Sequence, residues 1–318
     1  MCVLRFFKNL VLPKNWLLLL YLLLNIALGF ALLVYVQEID FSTDEDLIFT
    51  ACYFGAYLLV LIILATPLGE GILRLTMHAK KLQRNEETKE IYEIFDEVYN
   101  LSLAKSPKIS KKVKLYYFED DSVNAFCLGS RTVIINTGLL TLPKECIKAI
   151  IAHEFGHIAT QDSLTNLALI VSNWLIYFLV SIISFFVFIF FAIFDLLIFG
   201  VLFKVQVNRF YIARFFKGLL MLVYKLWLEI GVLLTLVSSR KKEYKADEYA
   251  RSLGYGASLA VALGHIDRDI SLNASVLETI YATHPKTSKR ILKLGYTPEE
   301  VQEFINELYS EEQEETVK

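Results

Sequence analysis

The sequence predicts a mainly α-helical membrane protein in which transmembrane helices carry a cytoplasmic α+β domain with a small β-sheet. Three observations predict it. The chain of 318 residues is 55% hydrophobic with a mean hydropathy of +0.46, too apolar for a soluble protein of this size. Its apolar residues gather in long blocks, with amphipathic and charged sequence between and after them. Lys and Arg lie on both outer sides of the first two blocks and are missing between them.

Trp16 to Val36 is apolar apart from Asn25 and long enough to cross a hydrocarbon core of about 30 Å. Arg5, Lys8 and Lys14 precede it and Ala27-Leu28-Gly29 has the look of a cleavage site, as in a signal peptide. The run continues past that site and outlasts an h-region of about 7 to 15 residues, so an uncleaved anchor is the favoured reading. Leu47 to Ala65 is the second span. The linker Gln37 to Asp46 carries five acids and no Lys or Arg, whereas Arg74, Lys80, Lys81 and Arg84 follow the second span. Positive charge outside the hairpin and none within it puts both of its ends in the cytoplasm.

From Asn85 to Leu103 the positions Ile91, Ile94, Phe95, Val98 and Tyr99 recur at helical spacing between acids and lysines, which predicts a soluble amphipathic helix. Val113 to Glu119 and Arg131 to Asn136 are rich in Val, Ile and Tyr and read as strands of a small sheet, with Asn124-Ala125-Phe126 leading into the second. Pro143 suits the first turn of a helix with Thr141 as its N-cap, and Ile147, Ile150 and Ile151 supply a buried face up to His153.

The chain turns apolar again from Leu167 to Phe203 and from Leu219 to Val237. Four full spans is the favoured reading, but it sends Lys204, Arg209, Arg214 and Lys217 to the outside, against the positive-inside tendency. The alternative folds Leu167 to Phe203 as a hairpin around Ser184 and lays Leu219 to Val237, with Lys225 and Glu229 at i and i+4, at the interface. Ser238 onward is soluble in character, and the tail from Ser310 is acidic. The expected organisation is a hairpin at 1–70, a catalytic domain in two parts at 71–165 and 239–310, a membrane insertion at 166–238 and a tail at 311–318.

His153-Glu154-Phe155-Gly156-His157 reads HExxH at the end of the helix that starts near Pro143. Residues four apart on a helix sit about 40° apart around the axis and one turn apart along it, so both imidazoles reach a single ion. Zinc held this way keeps a position open for water, and the carboxylate of Glu154 can take that water's proton. A third ligand must come from elsewhere. Within Ser239-Arg240-Lys241-Lys242-Glu243-Tyr244-Lys245-Ala246-Asp247, Glu243 and Asp247 share a helix face, so one carboxylate can bind metal while the other orients a ligand.

These residues resemble the HtpX-type membrane zinc peptidases, relatives of the CAAX prenyl proteases among the gluzincins. The resemblance covers nearly the whole chain. It extends over the N-terminal hairpin, Asn124-Ala125-Phe126, Ile134-Ile135-Asn136-Thr137-Gly138-Leu139-Leu140, both metal motifs and His284-Pro285-Lys286-Thr287-Ser288-Lys289-Arg290-Ile291. It implies a gluzincin-type α+β catalytic domain with one zinc ion per chain held by His153, His157 and Glu243, and Glu154 as general base. It further implies Asp247 as a carboxylate behind the ligands, Arg290 as its ion-pair partner and His284 as a donor to the oxyanion. Asn124, Ala125 and Phe126 would form a substrate-binding edge strand.

The expected activity is therefore a zinc metalloendopeptidase of protein quality control, acting on membrane or misfolded proteins. It is expected to be an integral, multi-pass membrane protein, with both termini and the active site in the cytoplasm. The alternative is a non-catalytic scaffold or transporter that retains the zinc site. A net charge of -2 with scattered basic residues excludes a nucleic-acid footprint. The four cysteines show no C-x-x-C spacing and no disulfide framework. His78 and His265 have no partners in sequence and are set aside. Asp195, inside an apolar run, reads as a packing or turn residue.

Overall fold

The computed structural model describes residues 2–37, 39, 42–203, 210–270, 286–297 and 299–306. Its helices are α1 (Cys2–Leu10), α2 (Trp16–Gln37), α3 (Asp44–Leu64), α4 (Pro67–Thr76), α5 (Lys89–Lys105), α6 (Lys144–Thr160), α7 (Asp162–Asp195), α8 (Tyr211–Ser252), α9 (Gly256–Ile270) and α10 (Thr287–Leu294). The strands are β1 (Lys80–Lys81), β2 (Lys114–Phe118), β3 (Ala125–Leu128) and β4 (Thr132–Asn136). The chain divides into a helical unit, Pro13–Leu59 with Ala168–Thr235, and a mixed unit, Met1–Leu12 with Val60–Leu167 and Leu236–Lys318.

Among the described residues Pro13–Tyr35, Asp44–Leu64 and Ser172–Leu202 are each long and apolar enough to cross a membrane, and the number rises to four if Tyr211–Leu234 and Ser239–Ser252, bent by 46° from one another within α8, count as one span. The hairpin around Ser184 does not form. Asp162 to Asp195 contains neither Gly nor Pro, and α7 runs unbroken through Ser184 for 34 residues. Helices in an apolar medium gain nothing from hydrophobicity against one another, so polar contacts and close approach hold them together. Asn25 supplies the centre of such a contact. Its amide donates to Ser172 Oγ at 2.7 Å and accepts from Trp227 Nε1 at 2.7 Å, while Tyr57 OH meets the same Ser172 hydroxyl at 2.6 Å. Residues of α2, α3, α7 and α8 are thereby linked. Asp195 is fully buried, and its two carboxylate oxygens accept the backbone N–H groups of Ile212 and Ala213 at 3.1 and 3.0 Å. It caps the first turn of α8, where the helix has unpaired donors.

In the mixed unit the sheet order is β1-β2-β4-β3, with β2 and β4 parallel and the outer pairs antiparallel. The third long strand, Ala125–Leu128, and the two-residue β1 go beyond the two strands that the Val- and Ile-rich runs predict. Every residue of β4 is buried, as a central strand covered on both faces requires. Helix α6 packs against β3 of this sheet and is buried on nearly all sides because α5 and α9 close around it as well. Phe155, fully buried, stacks on Tyr99 with ring centroids 5.5 Å apart and lies 5.8 Å from Phe95. Burying such a ring stabilises the fold by about 1.5–3 kcal/mol.

Thr141 is not the N-cap of α6. The position before α6 is Pro143, and Thr141 belongs to a 3-10 turn, Thr137–Thr141, in which its hydroxyl donates to the Gly138 carbonyl at 2.8 Å. The local turn captures the hydroxyl before the helix can. At the other end α6 stops at Gln161, left-handed with φ 62°, whose carbonyl accepts from the buried side chain of Asn9 at 3.0 Å. That bond ties α1 to the end of the HExxH helix.

Candidate metal centre

His153 and His157 lie on α6 and Glu243 on the last part of α8, and one donor atom from each falls within 4.8 Å of the others. The separations are 3.2 Å between the two Nε2 atoms, 3.5 Å from His153 Nε2 to Glu243 Oε2 and 3.3 Å from His157 Nε2 to Glu243 Oε1. Two donors about 2.05 Å from a tetrahedral zinc ion stand about 3.3 Å apart. The three atoms thus match one face of a zinc tetrahedron, and the donor set, two imidazoles and a carboxylate, suits that ion.

Behind the donors stands a second layer of contacts. Asp247 Oδ1 lies 2.9 Å from His153 Nδ1, which points His153 Nε2 toward the donor triangle. Arg290, on α10, grips Asp247 through two bonds, Nε to Oδ2 at 2.9 Å and Nη2 to Oδ1 at 2.6 Å. Its Nη2 is also 3.6 Å from Glu243 Oε2. His153, Glu243, Asp247 and Arg290 are all buried, so these charges are satisfied by one another. Burial alone would lower the His153 pKa, but hydrogen bonds to Asp247 and Glu243 outweigh it and raise it to about 9. Burial would raise the Asp247 pKa, yet His153 and Arg290 hold it below the usual carboxylate value.

The profile of peptidase family M48 matches residues 85–297, a stretch that contains HExxH, Glu243 and Arg290. The chain belongs to peptidase family M48. M48 proteins are zinc-dependent metallopeptidases, and in this chain His153, His157 and Glu243 come together as a possible metal site. Among solved structures this M48 chain is similar to the crystal structure of S. mikatae Ste24p, with 21% identity and a TM-score of 0.46 over 85% of this chain and 63% of that one. It therefore spans less than two thirds of the length of Ste24p. No curated protein matches it.

The other expected site residues distribute as follows. Glu154 is buried on α6, and the thiol of Cys127 on β3 has its pKa pushed well up by burial and by the nearby Glu154 carboxylate. Ala125 and Phe126 open β3, and the Asn124 carbonyl accepts from Asn136 N at 2.9 Å. β3 is an edge of the sheet among the described residues. Because antiparallel pairs alternate, Asn124 and Phe126 direct their backbone groups to β4, and Ala125 and Cys127 direct theirs outward. His284 lies outside the described residues.

Motif spacing missed two contributors. At Gly156, between the two histidines, an added Cβ would meet Ala246 Cα at 2.8 Å and Ala246 Cβ and O at 3.1 Å. Ala246 stands between Glu243 and Asp247, so this Gly–Ala contact sets how near α8 comes to α6. Small residues inside each of two charged motifs were the available signal. The other contributor is Cys127, which reaches Glu154 from a different element and has no signature in its spacing.

Proposed function

We propose that this M48 protein is a membrane-anchored zinc endopeptidase that cleaves membrane or misfolded proteins at the cytoplasmic face of the bilayer. The observation that carries the reading is the donor triad of His153, His157 and Glu243 at tetrahedral spacing beside the buried Glu154. Residues 71–165 and 239–310 are the two parts of its catalytic domain, interrupted by the membrane insertion at 166–238.

One zinc ion per chain, held by those three residues, would lower the pKa of a bound water toward about 7 and polarise the scissile carbonyl. Glu154 accepts the proton of the attacking water and delivers it to the departing amine nitrogen. Asp247 keeps the His153 proton on Nδ1 so that Nε2 is a free donor, and Arg290 holds Asp247 in place. His284 donates to the developing oxyanion, a role that rests on the family resemblance. An extended substrate segment pairs with the outward backbone groups of Ala125 and Cys127, which fixes its carbonyl over the donor triad. The cytoplasmic placement follows from Arg and Lys on both sides of the first two spans and an acidic linker between them.

The test is cleavage of casein by the detergent-purified protein, wild type against Glu154→Gln, with and without chelator. Chelator-sensitive cleavage that Glu154→Gln lowers by at least a hundredfold is the expected result. Full activity of Glu154→Gln would remove the general base from this reading.

A further inference from the structure

Helix α4 is turned inside out for a helix of a soluble domain. Its buried positions are Gly69, Glu70 and Leu73, whereas Leu68, Ile72 and Leu75 are 63%, 46% and 78% exposed. The spacing i, i+4, i+7 makes those three a single apolar stripe. A carboxylate thus faces the protein while two leucines and an isoleucine face out.

What covers the stripe follows from where α4 starts. Only Ala65 and Thr66 separate it from the last residue of the apolar α3. Gly69 then packs against the end of α3 so closely that an added Cβ would collide with the Leu64 Cα and sit 2.6 Å from the Ile63 carbonyl oxygen. The first turn of α4 therefore stays at the depth where α3 leaves the hydrocarbon, and the helix is only about 15 Å long. An outward apolar stripe at that depth meets lipid. The same unit presents a second such surface where α1 leads into α2, with Leu4 77% and Val11 58% exposed.

The inner face of α4 holds the turn that joins β3 to β4. Glu70 Oε1 accepts the Ser130 N–H at 2.6 Å and the Ser130 hydroxyl at 3.1 Å, and Oε2 accepts the Arg131 N–H at 3.1 Å. Arg74 adds a bond from Nη1 to Thr132 Oγ1 at 2.8 Å. Gly129 sits at φ +65°, where any Cβ would strike the Glu70 carboxyl group. From this turn β3 runs to Cys127 and its contact with Glu154.

We propose that α4 lies in the bilayer interface with Leu68, Ile72 and Leu75 against the lipid acyl chains, and that Glu70 makes this membrane-seated helix a positioning element for β3. The bilayer is then part of the scaffold that sets the substrate strand. The claim rests on the reading of β3 as that strand, and its two halves are tested separately.

Placement needs no activity. Full-length Leu75→Trp protein in phosphatidylcholine–phosphatidylglycerol nanodiscs is compared with wild type, whose three tryptophans supply the background to subtract. Lipids brominated near the headgroup end of the acyl chain are expected to quench more than half of the added emission. Unquenched emission overturns the placement, whether it is red-shifted as in water or blue-shifted as under a second copy of the chain.

Coupling is read with a soluble fluorogenic octapeptide in the same nanodiscs. The triple variant Leu68→Ser/Ile72→Ser/Leu75→Ser and the single variant Glu70→Ala are each expected to raise KM about tenfold, with kcat changed less than threefold and zinc content unchanged. Glu70→Gln, which keeps one acceptor oxygen, should fall between. An unchanged KM in the triple variant and in Glu70→Gln overturns the coupling even if Glu70→Ala fails to fold. Absence of cleavage by the wild type would instead count against the peptidase reading and would leave the quenching result standing.

Discussion

Replacing Gly156 by Ala adds one methyl group at the point where α6 and α8 touch, and its expected effect on zinc can be worked from distances. The new Cβ would lie 2.8 Å from Ala246 Cα. Relaxed carbon–carbon contacts are about 3.5–4.0 Å, so the helices must part locally by about 0.7–1.2 Å. Glu243 is three residues before Ala246 on the same helix, and its carboxylate moves with it. The donor separations of 3.2, 3.3 and 3.5 Å lie within a few tenths of an ångström of the tetrahedral spacing. A shift of about 1 Å would take a metal–oxygen bond of about 2.1 Å to near 3 Å, which amounts to losing that ligand. Overpacking costs about 1–3 kcal/mol of stability, and a misplacement of this size costs about a hundredfold in rate. Zinc affinity, measured by competition with a chromophoric chelator, is expected to fall at least a hundredfold, about 2.8 kcal/mol at 1.4 kcal/mol per decade. Adding Ala246→Gly should restore it only in part, because the Ala246 Cα at 2.8 Å and carbonyl oxygen at 3.1 Å remain. Wild-type zinc affinity, melting temperature and peptidase rate in Gly156→Ala would refute the close-approach reasoning.

Other substitutions probe the layers around that contact. Arg290→Met leaves the Asp247 carboxylate buried with the His153 Nδ1 contact in place of its ion pair, and thermal unfolding should show a loss of about 3–5 kcal/mol. Asp247→Asn weakens the hold on His153 Nδ1, and zinc affinity should drop about 10–100-fold in the same competition assay. Ala125→Pro removes an outward N–H from β3 without touching the pairing to β4, so KM for an extended peptide should rise about tenfold, the equivalent of one hydrogen bond, with kcat little changed. Asp195→Ala uncaps α8, and the melt in detergent should lose about 0.5–2 kcal/mol, while activity per folded molecule stays the same.

The membrane-spanning helices are legible because each rests on about 20 consecutive apolar residues, a signal that needs no partner to read. The length of Leu167 to Phe203 left a hairpin open in the sequence, and the missing Gly or Pro near Ser184 is what rules it out. Sheet pairing was less legible. β3 is an edge strand of only four residues, too short for its alternation to be read, and the parallel pairing of β2 with β4 across it is a long-range choice that short patterns do not encode. The same division runs through the candidate site. His153 and His157 share a face by local helical spacing, whereas Glu243 meets them only through folding across 85 intervening residues between His157 and Glu243. Gly156 against Ala246, Cys127 against Glu154 and Glu70 under the β3–β4 turn are contacts between elements distant in sequence. In sequence Glu70 looks like a surface acid, because nothing in its neighbours says that the leucines beside it face outward.

The most direct measurement is zinc content together with metal-edge X-ray absorption on purified wild-type protein, Glu154→Gln and Glu243→Ala. Wild type and Glu154→Gln should each hold one zinc per chain in a shell with two imidazoles, and Glu243→Ala should lose affinity at least a hundredfold. A wild-type protein without zinc, or Glu243→Ala binding one zinc with undiminished affinity, would contradict the centre formed by His153, His157 and Glu243.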